Sequence, residues 1–370
     1  MTPNNSKTLL HIVGTRPNII KLGPIHAELA GVGGLQQAIL QTGQHYDPAL
    51  ATELFEDFSL PSPDFDLQVG KLKPASQFAS VVEGVSQVIE DLSPDLVLIY
   101  GDVRSTAAAA IAAYHCGVLT AHYEAGQRAH HRALPEEMNR IVADVFSDIL
   151  LAAEKEAVAN IELLGMQDME VSVVGSLMCD AARMMAEKLE QTAKEDKNDE
   201  KSYAVFTCHR QASVDEKEDL LKVVEIIEAA AKRLEVRFPV HPRTHKRLTE
   251  TGLLDRLEGN SAVRLFPALR YSEFMAMLKN AQLIVSDSGG IVAEGTYFGI
   301  PHVYLRDRCE HRAALDAGSV ICVSLDVAAF NAALDRVLNG EVKFKCPDIW
   351  DGQASGRIRP ILCEAMGLSD

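Results

Sequence analysis

The chain has 370 residues, 47% of them hydrophobic, and its 52 acidic against 36 basic residues leave a formal charge of −16. That length predicts two domains with large cores. The charge argues against a nucleic-acid or membrane-surface binder, so an anionic ligand would need a local basic cluster. The opening "MTPNNSKTLLHIVG" lacks the basic-then-apolar order of a secretory signal. No stretch nears the ~20 apolar residues of a membrane span, and the chain reads as cytoplasmic. Cysteines at 116, 179, 208, 309, 322, 346 and 363 are scattered without a C-x-x-C pair. They read as free thiols, with no metal expected.

Short apolar runs then alternate with helical patterns. Strands are expected at "LLHIV" (9–13), "QAILQ" (37–41), "DLVLIY" (95–100), "VLTAH" (118–122), "DILLA" (148–152) and "EVSVVG" (170–175). Amphipathic stretches such as "QFASVVEGVSQVIEDL" lie between them. A charged run, "EQTAKEDKNDEKS" (190–202), reads as a surface link. Beyond it strands are expected at "YAVFT" (203–207), "VRFPV" (236–240), "AVRLF" (262–266), "QLIVSD" (282–287), "PHVYL" (301–305) and "VICVS" (320–324). Such alternation predicts parallel sheets with helices on both faces. The fold class is therefore α/β, with two Rossmann-like, doubly wound domains facing a cleft. We expect the first at 1–178, joined by a last helix within 352–370, and the second at 179–351.

The first strand runs into "GTRPNIIKLGPI", which lacks the G-x-G-x-x-G of a nicotinamide site. Thr15 is placed to cap a helix, with Pro17 in the favoured first position. Arg16 and Lys21 then lie near a positive helix end, either as solvated residues of an amphipathic helix or as an anion site. In "YGDVRST", Asp102 follows an apolar strand, where it could cap the next helix or act as a catalytic or sugar-binding carboxylate. "FTCHRQAS" places His209 and Arg210 at another strand end, and "FPVHPRTHKR" adds His241, Arg243 and His245 without a carboxylate or thiol to complete a metal site. In "VSDSGGIVAEG", Ser288, Gly289 and Gly290 form a strand-to-helix turn whose backbone N–H groups suit a phosphate. Glu294, one turn on, could accept from ribose hydroxyls; a bare turn is the alternative.

"HYEAGQRAHHRALPEEMNR" (122–140) gathers acids and bases after an apolar strand. Pro135 suits the first position of a helix, with Glu136 and Glu137 in its first turn. Glu136 and Arg140, four apart, would face the same way. As an exposed pair they would contribute only ~0.3–0.5 kcal/mol, a weak reason for their presence. Glu124 and Asp102 can approach the same place, and carboxylates crowded together repel, raising the proton affinity of at least one. A general acid or base arises that way.

Taken in order, "GTRPNIIKLGPI", "TGQHYD", "YGDVRST", "EAGQR…PEEMNR", "HPRT", "DSGGIVAEG" and "GQASGRI" resemble the UDP-N-acetylglucosamine 2-epimerase family over nearly the whole chain. The resemblance implies a GT-B architecture, a homodimer, a UDP-sugar substrate, and no metal or other cofactor. It implies inversion at C2 of a UDP-linked 2-acetamido sugar by anti-elimination of UDP and its re-addition. On matching positions, Arg16, Lys21 and His209 look like residues serving the diphosphate and active site, His209 among the catalytic ones. Asp102, Glu124 and Glu136 look like the sugar-side carboxylates with Arg140 in support, and Ser288, Gly289, Gly290 and Glu294 like the UDP clamp; His241 is a further substrate contact. Departures occur at Ala212 and Ser213 (usually Glu-Asn), Cys309 and His311 (usually Thr and Arg), Gln127 (usually Leu) and the His130-His131 pair. They bear on the sugar's substituents, and "HPRT" and "GQASGRI" resemble members acting on 2,3-diacetamido uronates. The alternatives are a hydrolysing epimerase releasing free sugar and UDP, a GT-B glycosyltransferase, and a silent UDP-sugar-binding protein.

Overall fold

A computed structural model describes residues 6–44, 48–192 and 202–369. The chain divides into two compact units, Met1–Ala181 with Asp351–Asp370, and Ala182–Trp350. The first contains β1 (Lys7–Val13), β2 (Leu35–Gln41), β3 (Phe65–Asp66), β4 (Leu96–Tyr100), β5 (Leu119–Tyr123), β6 (Ile149–Ala152) and β7 (Val171–Val173). They pair in parallel in the order β3-β2-β1-β4-β5-β6-β7. The second contains β8 (Tyr203–Thr207), β9 (Glu235–Pro239), β10 (Val263–Phe266), β11 (Leu283–Ser286), β12 (His302–Tyr304) and β13 (Val320–Cys322). Its parallel order is β10-β9-β8-β11-β12-β13.

The strands expected from the sequence are all present, with ends within two residues of the expectation. β3 was not expected. Its two residues, Phe65 and Asp66, are too few to display alternation, and it exists because β2 offers an edge to pair with. Central strands read as unbroken apolar runs because helices cover both sheet faces; every residue of β4, "LVLIY", is buried. The helix Pro74–Leu92 buries Gln77, Val81, Val85, Val88 and Ile89, the stripe its helical spacing predicts.

The last helix, Ala354–Met366, belongs to the first unit. Its opening amides, Ala354 and Ser355, donate to the buried Asp180 carboxylate at 3.0 and 2.8 Å, and Ser355 Oγ adds a third bond at 2.7 Å. Arg359 pairs with Glu28 at 3.6 Å. Helix Leu177–Thr192 takes up the start of the charged run expected as a link; residues 193–201 lie outside the described residues.

In each sheet the strand that comes first in the chain, β1 or β8, lies in the interior; the next two strands build outward on one side of it and the later strands on the other. The order therefore reverses between β1 and β4 in the first unit and between β8 and β11 in the second. In open α/β sheets, ligands generally bind beyond the carboxyl ends of the strands at such a reversal. Among the described residues, no helix is long and apolar enough to cross a membrane.

Candidate functional site

The candidate residues of the first unit gather at its reversal point. Beyond β1 the chain enters helix Arg16–Leu29, which buries Leu22, Ile25 and Leu29. Arg16 takes the first helical position and Pro17 the second, one place later than expected. Asn18, which the sequence reading passed over, holds the turn: its Oδ1 accepts from the Gly14 and Thr15 amides, each at 3.1 Å, and its Nδ2 donates to Tyr100 O at 3.0 Å. One side chain thus staples β1 to β4. Arg16 is half-buried at the helix start.

Lys21 does not face solvent or an open anion site, as its place on the helix suggested. It is 7% exposed and bonded to Glu124, just past β5. Glu124 has φ of 72°, a left-handed conformation rare for a residue with a side chain. Such strain, imposed by surrounding structure, is a mark of functional sites. Asp102 does not cap the following helix, which starts at Arg104 with Val103 as its N-cap. Its carboxylate is bound instead by Arg140, and its carbonyl accepts from Asn139 Nδ2 at 2.9 Å.

Helix Pro135–Val145 begins with Pro135, as expected, but its inward acid is Glu137. Glu137 accepts from the Ala129 and His130 amides at 2.7 and 3.2 Å and lies 3.8 Å from Arg140. Glu136 is exposed, and no hydrogen bond or ion pair joins it to Arg140, Asp102 or Glu124. The expected pairing of Glu136 with Arg140 is therefore corrected. One residue's turn, about 100°, separates positions 136 and 137 on a helix, and the buried Arg140 selects the inward one. The crowding of acids is also met differently from the expectation, since Asp102 and Glu124 each have their own cation.

The second unit repeats the arrangement at β8 and β11. Asp287, fully buried after β11, was not singled out from the sequence. Its carboxylate accepts from the His209 amide at 3.1 Å, the Arg210 amide at 2.8 Å and Cys208 Sγ at 3.1 Å. His209 Nδ1 lies 3.5 Å from it. Arg210 Nε returns a bond to Asp287 O at 3.1 Å. The His209 and His241 rings stack at 5.3 Å, and His241 Nδ1 accepts from the Arg243 amide at 3.2 Å as the cap of helix Pro242–Glu250. His241 is held there by its capping bond.

Gly289 and Gly290 open helix Gly290–Tyr297, whose first amides lack intrahelical acceptors. Ser288 differs from the expectation of an open amide: its N–H points at Ser286 Oγ, 3.3 Å away. Glu294 is buried, and burial pushes its carboxyl up to about 8, partly opposed by the Tyr271 hydroxyl at 2.8 Å and by His311. A pocket of about 450 Å³ lies beyond β9 and β10, walled by Val240, Leu265, Phe266, Pro267 and Ala268 with His245 and Lys246 at its polar side. Among the described residues no group of three or more His, Cys, Asp or Glu gathers in a way that could hold a metal ion.

Two parallel sheets of seven and six strands, each reversing order between two interior strands, define a GT-B-like α/β fold. The family model for UDP-N-acetylglucosamine 2-epimerase matches residues 27–363. A Methanococcus maripaludis UDP-N-acetylglucosamine 2-epimerase is 35% identical, over 94% of this chain and 95% of its own. The Methanocaldococcus jannaschii UDP-GlcNAc 2-epimerase, solved with UDP-GlcNAc and UDP, superposes with a TM-score of 0.86 at 32% identity, covering 96% of this chain and 99% of its own. A Pseudomonas aeruginosa UDP-2,3-diacetamido-2,3-dideoxy-D-glucuronate 2-epimerase is 30% identical over 96% of this chain and 99% of its own. This chain belongs to the UDP-N-acetylglucosamine 2-epimerase family, whose members are isomerases.

Proposed function

We propose that the protein inverts C2 of a UDP-linked 2-acetamido sugar without hydrolysing it. A carboxylate of the first unit removes the C2 proton while the C1–O bond to UDP breaks, leaving a glycal with a C1–C2 double bond. UDP then re-adds at C1 as a proton returns to the opposite face of C2. The observation that carries this reading is the pair of cation-held carboxylates, Asp102 with Arg140 and Glu124 with Lys21, past the ends of β4 and β5. A glycosyltransferase, which exchanges no C2 proton, has no need of such a pair.

The UDP is assigned to the second unit. His209, Arg210 and the helix opened by Gly289 and Gly290 meet the diphosphate, where negative charge grows as the bond breaks; fixed donors there stabilise the transition state more than the ground state. Glu294 binds ribose and the pocket beside Phe266 receives the uracil ring. Arg16 contributes a cation to the diphosphate, Lys21 serves by holding Glu124, and the exposed Glu136 is a third acid for the sugar side. Similarity to the P. aeruginosa enzyme, together with the His130-His131 pair, supports a sugar modified beyond N-acetylglucosamine. A homodimer and a cytoplasmic location belong to the same proposal.

The test is incubation with UDP-N-acetylhexosamines and their 3-acetamido uronate derivatives in D₂O, followed by NMR. Deuterium at C2 with UDP-sugar retained is the expected result. Free sugar plus UDP would identify a hydrolysing enzyme, and turnover only with an acceptor a transferase. Asp102→Asn and Glu124→Gln are expected to lose C2 exchange and keep UDP affinity; loss of UDP binding in both would overturn these roles.

A further inference from the structure

We infer that His122, held by Asp144, is a positioning residue for the turn that presents Asp102, and that it works with a proton on both ring nitrogens. The positioning role rests on the reading of Asp102 as a carboxylate acting at C2.

His122 on β5 and Asp144 on helix Pro135–Val145 are both 0% exposed. One ring nitrogen, Nδ1, lies 2.8 Å from Asp144 Oδ1, and the other, Nε2, lies 2.8 Å from Gly101 O. A backbone carbonyl has no proton to give, so Nε2 must be the donor. Asp144 also accepts from Arg128 at Oδ2 and from the Gly126 amide, 3.3 Å from each of its oxygens. A carboxyl group in contact with a guanidinium is an ionised acceptor, so Nδ1 donates as well. A neutral ring would face one of these oxygens lone pair to lone pair, in a place water cannot relieve. The charged groups bonded to the two are Asp144 from the helix and Arg128 from the loop after β5; on the far side, beyond Gly101 O, the Lys21–Glu124 pair lies over Gly101.

The consequence lies in the turn. Three successive carbonyls, from the last residue of β4 onward, are each gripped by a side chain from elsewhere. Tyr100 O accepts from Asn18 Nδ2 at 3.0 Å and Thr106 Oγ1 at 2.7 Å, Gly101 O from His122, and Asp102 O from Asn139. Gly101 has φ of 67°. It sits where its backbone is freest to move, and the His122 bond is the charge-assisted one of the set. Removing it frees the peptide plane immediately before Asp102, without touching the Asp102–Arg140 pair.

Ring ¹⁵N NMR of histidine-labelled protein, with His122→Gln to assign the signal, decides the protonation directly. Both His122 nitrogens are expected to carry protons at neutral pH; one bare nitrogen overturns that half of the proposal, whatever the enzyme's substrate. For positioning, Asp144→Asn and His122→Gln are compared with Asp102→Asn in the D₂O exchange assay. A fall of about 100-fold in kcat is expected for displacement of a reacting group by ~1 Å, with KM and UDP affinity within a factor of about three. Folded variants with unchanged kcat overturn the positioning role. If Asp102→Asn itself keeps full exchange, it is the role given to Asp102 that fails, and the ring measurement still stands on its own.

Discussion

The Lys21 ammonium is bonded to the Glu124 carboxylate directly over Gly101, and a Cβ built on Gly101 would lie 2.9 Å from Glu124 Oε2 and 3.2 Å from Lys21 Nζ. Helix Arg16–Leu29 and the end of β5 thus meet above a residue where an added side chain would push on the ends of Glu124 and Lys21. Its left-handed φ of 67° independently favours glycine there. Gly101→Ala is expected to cost about 1–3 kcal/mol of stability through backbone strain and to cut C2 exchange by ~100-fold through displacement of Glu124. Denaturant unfolding and the D₂O assay measure the two; an alanine variant with normal turnover would show that this contact tolerates movement.

Asp287 ties the β8 and β11 loops together through its bonds to the His209 and Arg210 amides. Asp287→Ala leaves those donors without an acceptor, at a cost of roughly 1–3 kcal/mol for each that stays buried. UDP affinity, read by calorimetry, is expected to fall at least tenfold, about 1.4 kcal/mol. Unchanged affinity would separate this loop from the diphosphate.

Glu294 makes stability fall with rising pH. Its carboxyl has a value of about 8 in the folded chain against 4.5 when unfolded, so between those values the native state holds a proton the unfolded state has lost. The stabilisation is complete below pH 4.5 and is lost as pH rises through about 8. Glu294→Gln, shaped like the protonated acid, is expected to flatten the decline in unfolding free energy between pH 6 and 8. An equal slope in both proteins would contradict a neutral Glu294.

Two buried histidines act in the opposite direction. Burial above all pushes His11 and His302 down to about 3, far below their ordinary 6.5. Between those values the unfolded chain binds protons that the native state refuses. Stability is therefore complete above pH 6.5 and is lost as pH falls toward 3, by up to ~1.4 kcal/mol per pH unit for each ring. Unfolding at pH 7, 6 and 5 is expected to show this slope, and His302→Gln to reduce it by one proton; no reduction would mean His302 is already charged.

Much of the fold was legible because both signals are local. A fully buried parallel strand such as β4 is an unbroken apolar run, and a covering helix such as Pro74–Leu92 carries its stripe at fixed spacing. The candidate site was legible in part for a related reason. Ligands in such folds meet strand ends, so Arg16, Asp102, Glu124, His209 and Ser288 could be picked out as candidates by following apolar runs to their polar ends. Asn18, Asp144 and Asp287 escaped because their importance lies in partners 82, 22 and 77 residues away. β3 escaped because pairing with β2, rather than pattern, makes it a strand.

By itself the amino-acid sequence determined the alternation of strands and helices, the placing of charged residues at strand ends and the family to which the chain belongs, since each follows from local spacing or from motif order. Only the tertiary structure decided which charges meet. Arg140 could have paired with Glu136 on its own helix; folding gave it Asp102, 38 residues away. Lys21 could have faced solvent; folding buried it against Glu124. The physical reason is that a buried charge must find its partner in three dimensions, and a position along the chain does not contain that information.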